Sequence, residues 1–348
     1  MAIKLKDIAQ ETGVSISTVS RILSNDTSRK SNDKTVAKVL KAAESLGYFS
    51  QKTGPKTYEQ YVAPVKTYSL ACILTSDHET YVSPFFSTLL AGIQSELARQ
   101  EANFPHNFFV AYIKDPGFPQ FLKNTKLDCA IMLGRTSLEN INLLKSSIPN
   151  LLYAGVNRIG GNHMDEVICD AHHGVVCAIE YLILLGHEKI GFLGPIQKKH
   201  HVFNEHRYQG FLDAMAAHQL PIDSEHVVDT ILTAPDGYDS MMTLINRKTL
   251  PTAIFCGNDT VAMGVMKALD ERNIRIPQDI SIIGFDNIDT IAYMKPALTT
   301  IDVPKKELGR LAVKILLDKL ETDRPYPVNV DIPFNLVVRE SCRDIHNG

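Results

Sequence analysis

Tryptophan is absent from these 348 residues, so any face that stacks on a flat ligand must be built from other rings. Long apolar runs are missing as well. Stretches such as Ile179–Leu185 are far shorter than the roughly 20 residues a membrane helix needs. The polar, immediately helical start has no signal-peptide pattern, so a soluble cytoplasmic protein with no membrane partner is expected. The six cysteines, Cys72, Cys129, Cys169, Cys177, Cys256 and Cys342, contain no C-x-x-C pair. They read as reduced, mostly buried thiols rather than disulfides or metal ligands. No G-x-G-x-x-G, G-x-x-x-x-G-K-[ST] or G-x-S-x-G motif occurs, which removes the usual dinucleotide, P-loop and hydrolase-elbow signals. No enzyme, cofactor or metal site is expected. His172–His173, His200–His201 and His206 lack the one-turn spacing of a zinc pair and read as solvated loop residues.

Basic charge is unevenly spread. Residues 1–60 hold ten lysines and arginines against six acids, a surplus of four, while the rest holds 26 against 33, a deficit of seven. In that basic segment Leu5, Ile8 and Ala9 recur at helical spacing, and Gly13 provides a left-handed turn. Ser15 and Ser17 can cap a second helix, in which Val19, Ile22 and Leu23 point inward and Ile16, Ser17, Ser20 and Arg21 stay outside. A third helix starts at Ser31 or Asn32, buries Val36, Val39, Leu40, Ala43 and Leu46, and stops at Gly47. Such a bundle can present its second helix to a DNA major groove. Lys4, Ser15, Ile16, Ser17, Thr18, Ser20, Arg21 and Asn25 form the expected DNA-binding set. Within it, Arg21 reaches phosphate or a base edge, and Ile16 and Ser17 help choose sequence. The alternative is a helical cap on an enzyme of similar architecture, and the local basic charge argues against it.

Asp7-Ile8-Ala9, Gly13-Val14-Ser15 and Thr18-Val19-Ser20-Arg21, with Leu46-Gly47-Tyr48 behind them, resemble the head of the lactose-repressor family of bacterial transcription regulators. In that family a short hinge helix with an asparagine, an alanine and a leucine enters the minor groove. Phe49–Lys56 lacks the leucine, and Gly54-Pro55 oppose a helix, so the linker departs from the pattern.

From Tyr68 onward short apolar strands alternate with amphipathic helices, which predicts parallel sheets covered on both faces. The expected fold is α/β: a three-helix head at 1–48, a linker at 49–67, and a core at 68–348. The core holds two doubly wound subdomains, 68–158 with 298–325 and 159–297 with 326–348. Ligands of such folds bind beyond the carboxyl ends of the strands, where Ser76, Asn157, Asn258 and Asp286 fall. Arg207 heads a helix. Taken alone, Asn258 and Ser83 read equally well as helix caps.

The resemblance continues through Arg207-x-x-Gly210-Phe211, Asn258-Asp259, Ile280–Asn287 and Leu298–Ile301. It implies a core like that of periplasmic binding proteins, with Arg207, Asn258 and Asp286 touching a small effector and Phe85 and Phe86 in its wall. Where the family often has a stacking aromatic residue, this chain has Leu232, so stacking falls to Phe85, Phe86 or Phe203. A small sugar or sugar phosphate fits better than a nucleobase. The resulting expectation is a homodimeric repressor on palindromic operator DNA, its affinity shifted by effector binding. The competing reading is a sugar-binding protein or cleft enzyme without a DNA role. No leucine heptad follows Arg343, so a coiled-coil tetramer is not expected.

Overall fold

The computed structural model describes residues 3–24, 31–50, 66–75, 83–134, 136–159, 164–196, 205–248, 250–322 and 324–346. The chain divides into two compact units, Met1–Thr67 and Tyr68–Gly348.

In the first unit helices α1 (Leu5–Thr12), α2 (Ile16–Leu23) and α3 (Asp33–Ser45) are followed by a single 3-10 turn at Tyr48–Ser50. Each start has a local cause. Asp7 accepts from the Lys4 N–H at 2.7 Å, Ser15 Oγ from the Thr18 N–H at 3.2 Å, and Asn32 Oδ1 from the Lys34 N–H at 3.0 Å. These side chains satisfy backbone donors that have no partner within a helix. Asn32, not Ser31, is therefore the cap of α3. Gly13 ends α1 at φ +64, a left-handed conformation that glycine adopts without a Cβ clash. Ile8, Val19, Leu23, Val39, Leu40 and Ala43 close a small core. Each fully buried aliphatic side chain contributes about 1.5–3 kcal/mol.

The second unit contains β1 (Tyr68–Leu74), α4 (Pro84–Gln100), β2 (His106–Tyr112), α5 (Phe118–Asn124), β3 (Cys129–Leu133), α6 (Leu138–Ser147), β4 (Asn150–Gly155) and β5 (Asp165–Ile168). It continues with α7 (Ala171–Leu184), β6 (Ile190–Gly194), α8 (Arg207–Ala217), β7 (Val227–Asp229), α9 (Ala234–Arg247), β8 (Ala253–Cys256), α10 (Asp259–Glu271) and β9 (Ser281–Asp286). After these come β10 (Thr299–Asp302), α11 (Lys305–Thr322), β11 (Asn329–Asp331) and β12 (Asn335–Val337). Two six-stranded sheets result, in the orders β11-β5-β4-β3-β1-β2 and β12-β10-β9-β8-β6-β7. All described pairings are parallel except β10 with β12. The central strands are buried along almost their whole length, so their sequences are nearly continuous apolar runs.

The subdomain limits differ from the expected ones. β5 pairs with β4, so the first sheet keeps the chain to Ile168 rather than releasing it at residue 158. β10 pairs with β9 in the second sheet, and β11 returns to the first by pairing with β5. The chain thus crosses between the sheets at 169–170, 303–304 and 332–334. Short apolar strands look alike in sequence, and the sheet each one joins is set by pairing with distant partners. The edge strands β11 and β12 and the helix α5 were not legible as elements for the same reason of length.

Arg324 Nη1 and Nη2 reach the two oxygens of the fully buried Asp165 at 2.8 and 3.1 Å, and the Val328 N–H donates to Asp165 Oδ1 at 2.7 Å. This pair fastens the segment leading into β11 against β5. Helices α4 and α11 pack with their backbones nearly touching. A Cβ on Gly92 would lie 2.2 Å from the Lys306 carbonyl oxygen, and one on Gly309 2.2 Å from that of Leu89.

Candidate functional site

On the head, α2 turns Ile16 outward at 49% exposure, and Ser17 and Ser20 are exposed beside it. An exposed isoleucine among hydroxyls gives an apolar contact for a thymine methyl next to donors and acceptors for base edges. Ser15 Oγ lies 3.0 Å from Ser17 Oγ and 2.8 Å from Thr18 Oγ1, which links the hydroxyls at the start of the helix. Ser15 and Lys4 are exposed and Thr18 is half-buried. Arg21 differs from expectation. It is half-buried, its Nη2 donates to Ser31 Oγ at 3.3 Å, and its buried Nε has no partner among the described residues. The arginine thus braces α2 against the start of α3. Asn25 lies outside the described residues, as do the linker positions 51–65.

In the core, the carboxyl ends of the two sheets meet. Asn157 follows β4 of the first sheet, and its Oδ1 accepts from the N–H of His206, just before α8 of the second, at 3.2 Å. Asn157 is 1% exposed and its Nδ2 has no hydrogen-bond partner among the described residues. A buried amide donor left unpaired costs about 1–3 kcal/mol, so the position favours an acceptor arriving from outside the chain.

Arg207, the first residue of α8, is buried and tied on three sides. Its Nε donates to Glu205 Oε1 at 2.8 Å, Nη2 to Glu205 Oε2 at 2.6 Å, and Nη1 to the Gly257 carbonyl at 2.8 Å. Burial alone would pull the guanidinium down, and the Glu205 carboxylate outweighs it and holds the group above its usual range. Asp286 closes β9 at φ +110, with Asn287 at φ +52. An asparagine takes the left-handed region with little cost, but φ +110 does not suit a residue with a Cβ, and strain of this kind persists only where neighbours impose it. Here the Lys305 ammonium donates to the carbonyls of Asp286, Asn287 (3.1 Å) and Val303 (3.1 Å). Asn287 Nδ2 donates to Asp302 Oδ1 at 3.0 Å, and Arg339 Nη2 donates to Asn287 Oδ1 at 2.7 Å. Burial pushes the Asp286 carboxyl up to about 7, with Arg207 and Lys305 opposing and Glu205 adding to the rise.

Several expected residues take other places. Asn258 caps α10: its Oδ1 accepts from the Val261 N–H at 2.8 Å and its Nδ2 donates to the Leu232 carbonyl at 3.3 Å. Phe85 is buried in the main core; its half-buried neighbour Phe86 meets it edge-on at 5.2 Å. Adjacent helical residues point about 100° apart, so one of the two had to turn inward. Ser76, His200, His201 and Phe203 lie outside the described residues. His172 and His173 sit in the first turn of α7 rather than a loop, and His172 Nε2 is 2.7 Å from Asp213 Oδ2. The residues that the sequence reading passed over are Glu205 and Lys305. Glu205 stands two positions from Arg207, a spacing that allows one side chain to clasp the other.

A groove of about 1100 Å³ lies elsewhere in the core, lined by Tyr238, Met263, Met266, Ile274 and Met294 among others, and shares no residue with the strand-end cluster.

Residues 4–51 match the bacterial regulatory proteins of the lacI family, and residues 179–342 match the periplasmic binding protein-like domain. The HTH-type transcriptional repressor PurR of Photorhabdus laumondii is 32% identical over 98% of this chain and 97% of its own. A LacI family transcriptional regulator from Enterococcus faecium, solved with bound ribose, aligns at a TM-score of 0.67 with 30% identity, covering 79% of this chain and 99% of that one. The lac repressor dimer bound to operator and the anti-inducer ONPF shares the fold at a TM-score of 0.69 and 22% identity, covering 99% and 100%. The chain belongs to the lacI family of transcriptional repressors, which are not enzymes.

Proposed function

We propose that this repressor reads a palindromic operator through α2 and is switched by a small sugar-like effector held at the facing strand ends, between Asn157 on one sheet and Arg207 and Asp286 on the other. The observation that carries this reading is the buried Asn157 Nδ2, without a partner among the described residues, on an amide bonded to the residue before Arg207, whose charge in turn acts on the strained Asp286. A hydroxyl-rich ligand both accepts and donates, which suits an amide donor, a carboxyl and a guanidinium edge together. The relative from Enterococcus faecium solved with ribose supports the ligand class. The switch is a population shift: a ligand touching both sheets favours the arrangement that brings them together, and operator affinity follows from its differential binding to the two states.

One head reads too few base pairs, so two copies must lie about one helical turn apart on DNA. The groove lined by Met263, Ile274 and Met294, with Tyr293 at 86% exposure beside it, gives the second copy an apolar seat. A thermal-melt screen of neutral sugars, sugar phosphates and nucleobases on the full chain, repeated with DNA from upstream of its own gene, tests the reading. One sugar should raise the melting temperature and change DNA affinity, and Asn157→Ala should lose that response. DNA binding that no sugar alters would remove the effector assignment.

A further inference from the structure

The Glu205 carboxylate occupies the place where a ligand anion would sit. It accepts from the Arg207 backbone N–H at 3.1 Å, at the start of α8, and from Nε and Nη2 of the same residue at 2.8 and 2.6 Å. A helix start with open N–H groups and a guanidinium fork is a ready seat for a carboxylate or phosphate. In this chain an internal carboxylate, itself 3% exposed, fills it.

Among the described residues, two other cations at the strand ends, Lys305 and Arg158, are committed too. Lys305 spends its ammonium on three backbone carbonyls. Arg158, just after β4, sets its Nη2 between the two Asp331 oxygens at 2.7 and 2.8 Å. Burial holds the His206 imidazole below its usual range, so it stays neutral near pH 7. Among the described residues, the donors that remain open are the Asn157 amide and the two N–H groups of Arg207 that no bond uses, the latter on a guanidinium already paired with a carboxylate. A buried charge without a counter-charge is costly, whereas a hydroxyl needs only these donors.

We propose that Glu205 sets the effector class of this repressor: by filling the anion seat on Arg207, it makes the site accept uncharged polyhydroxyl ligands and refuse phosphorylated or carboxylated ones. The proposal rests on the strand-end cluster being the effector site.

The test uses thermal melts of the full chain with matched pairs, ribose against ribose 5-phosphate and glucose against glucose 6-phosphate. Inorganic phosphate and acetate serve as bare anion probes, with chloride as the ionic-strength control. In the wild type no anion should stabilise saturably. Glu205→Ala empties the seat, so its lowered melting temperature should recover saturably with acetate or phosphate, and adding Arg207→Gln should abolish the recovery. Glu205→Ser, whose short side chain also vacates the seat, replaces Glu205→Ala if that variant fails to fold. Saturable stabilisation of the wild type by a sugar phosphate or by phosphate, lost with Arg207→Gln, overturns the proposal. So does a folded Glu205 variant that ignores both anions. Failure of the effector reading looks different: the variant takes up acetate, yet no neutral sugar stabilises the wild type.

Discussion

Asp286 shows how one residue can couple the proposed site to pH. Its carboxyl is raised from 3.8 to about 7 by burial. The unfolded chain gives up that proton near its ordinary value, while the folded chain keeps it to about 7. Between those limits the folded state binds the extra proton, so stability falls as pH rises, by on the order of 4 kcal/mol across the window. Asp259, raised by burial beside it, adds a slope of the same sign. Asp286→Asn should remove the Asp286 share: its melting temperature should drop less than that of the wild type between about pH 5 and pH 7.5. Parallel curves would mean that Asp286 is ionised in the fold. At this scale the sequence was partly legible. Arg207 and Asp286 were reached through their motifs, and both lie in the cluster. Glu205 was printed two letters away but gains meaning only from the clasp it makes, and Phe85 and Phe86 needed a helix orientation to be told apart.

Elements were most legible where their causes are local. The three helices of the head follow from Asp7, Gly13, Ser15 and Asn32, all within a few residues of the turns they set. The close contact of α4 and α11 is the opposite case, since it joins residues more than two hundred positions apart. Replacing Gly309 by alanine would normally gain about 1 kcal/mol of helix propensity. Here the new Cβ would meet the Leu89 carbonyl oxygen at 2.2 Å, and backbone cannot swing aside as a side-chain tip can. Overpacking of this kind costs typically 1–3 kcal/mol and occasionally more, so the clash wins. Gly309→Ala should melt several degrees below the wild type; an equal or higher melting temperature would show that the two helices can part freely. The sheet to which β5, β10 and β11 belong was not legible for the same non-local reason.

Across the whole molecule, charge and surface are divided by task. The segment 1–60 carries the basic surplus and the remainder is acidic, which favours phosphate contact by the head and discourages it elsewhere. In the proposed two-fold reading of an operator, DNA affinity depends on the pairing of cores. Met294→Glu would put a carboxylate among the apolar side chains of the groove proposed to seat the second copy, whose lining also includes Lys267, Asp270, Arg275 and Lys295. Analytical ultracentrifugation should show the wild type as a dimer and the variant shifted toward monomer, with weaker operator binding. A variant that stays dimeric would place the contact on another face.

The three crossings between the sheets also govern how the chain can be divided. Neither sheet is a contiguous stretch of sequence, so no single cut yields two halves that each own a complete sheet. The last strands, β11 and β12, are shared out one to each sheet. A chain stopped just before Arg324 would strip an edge strand from both at once and take away the guanidinium that Asp165 grips. Damage at the tail is therefore inherited by both lobes, and neither can be made as a spare part.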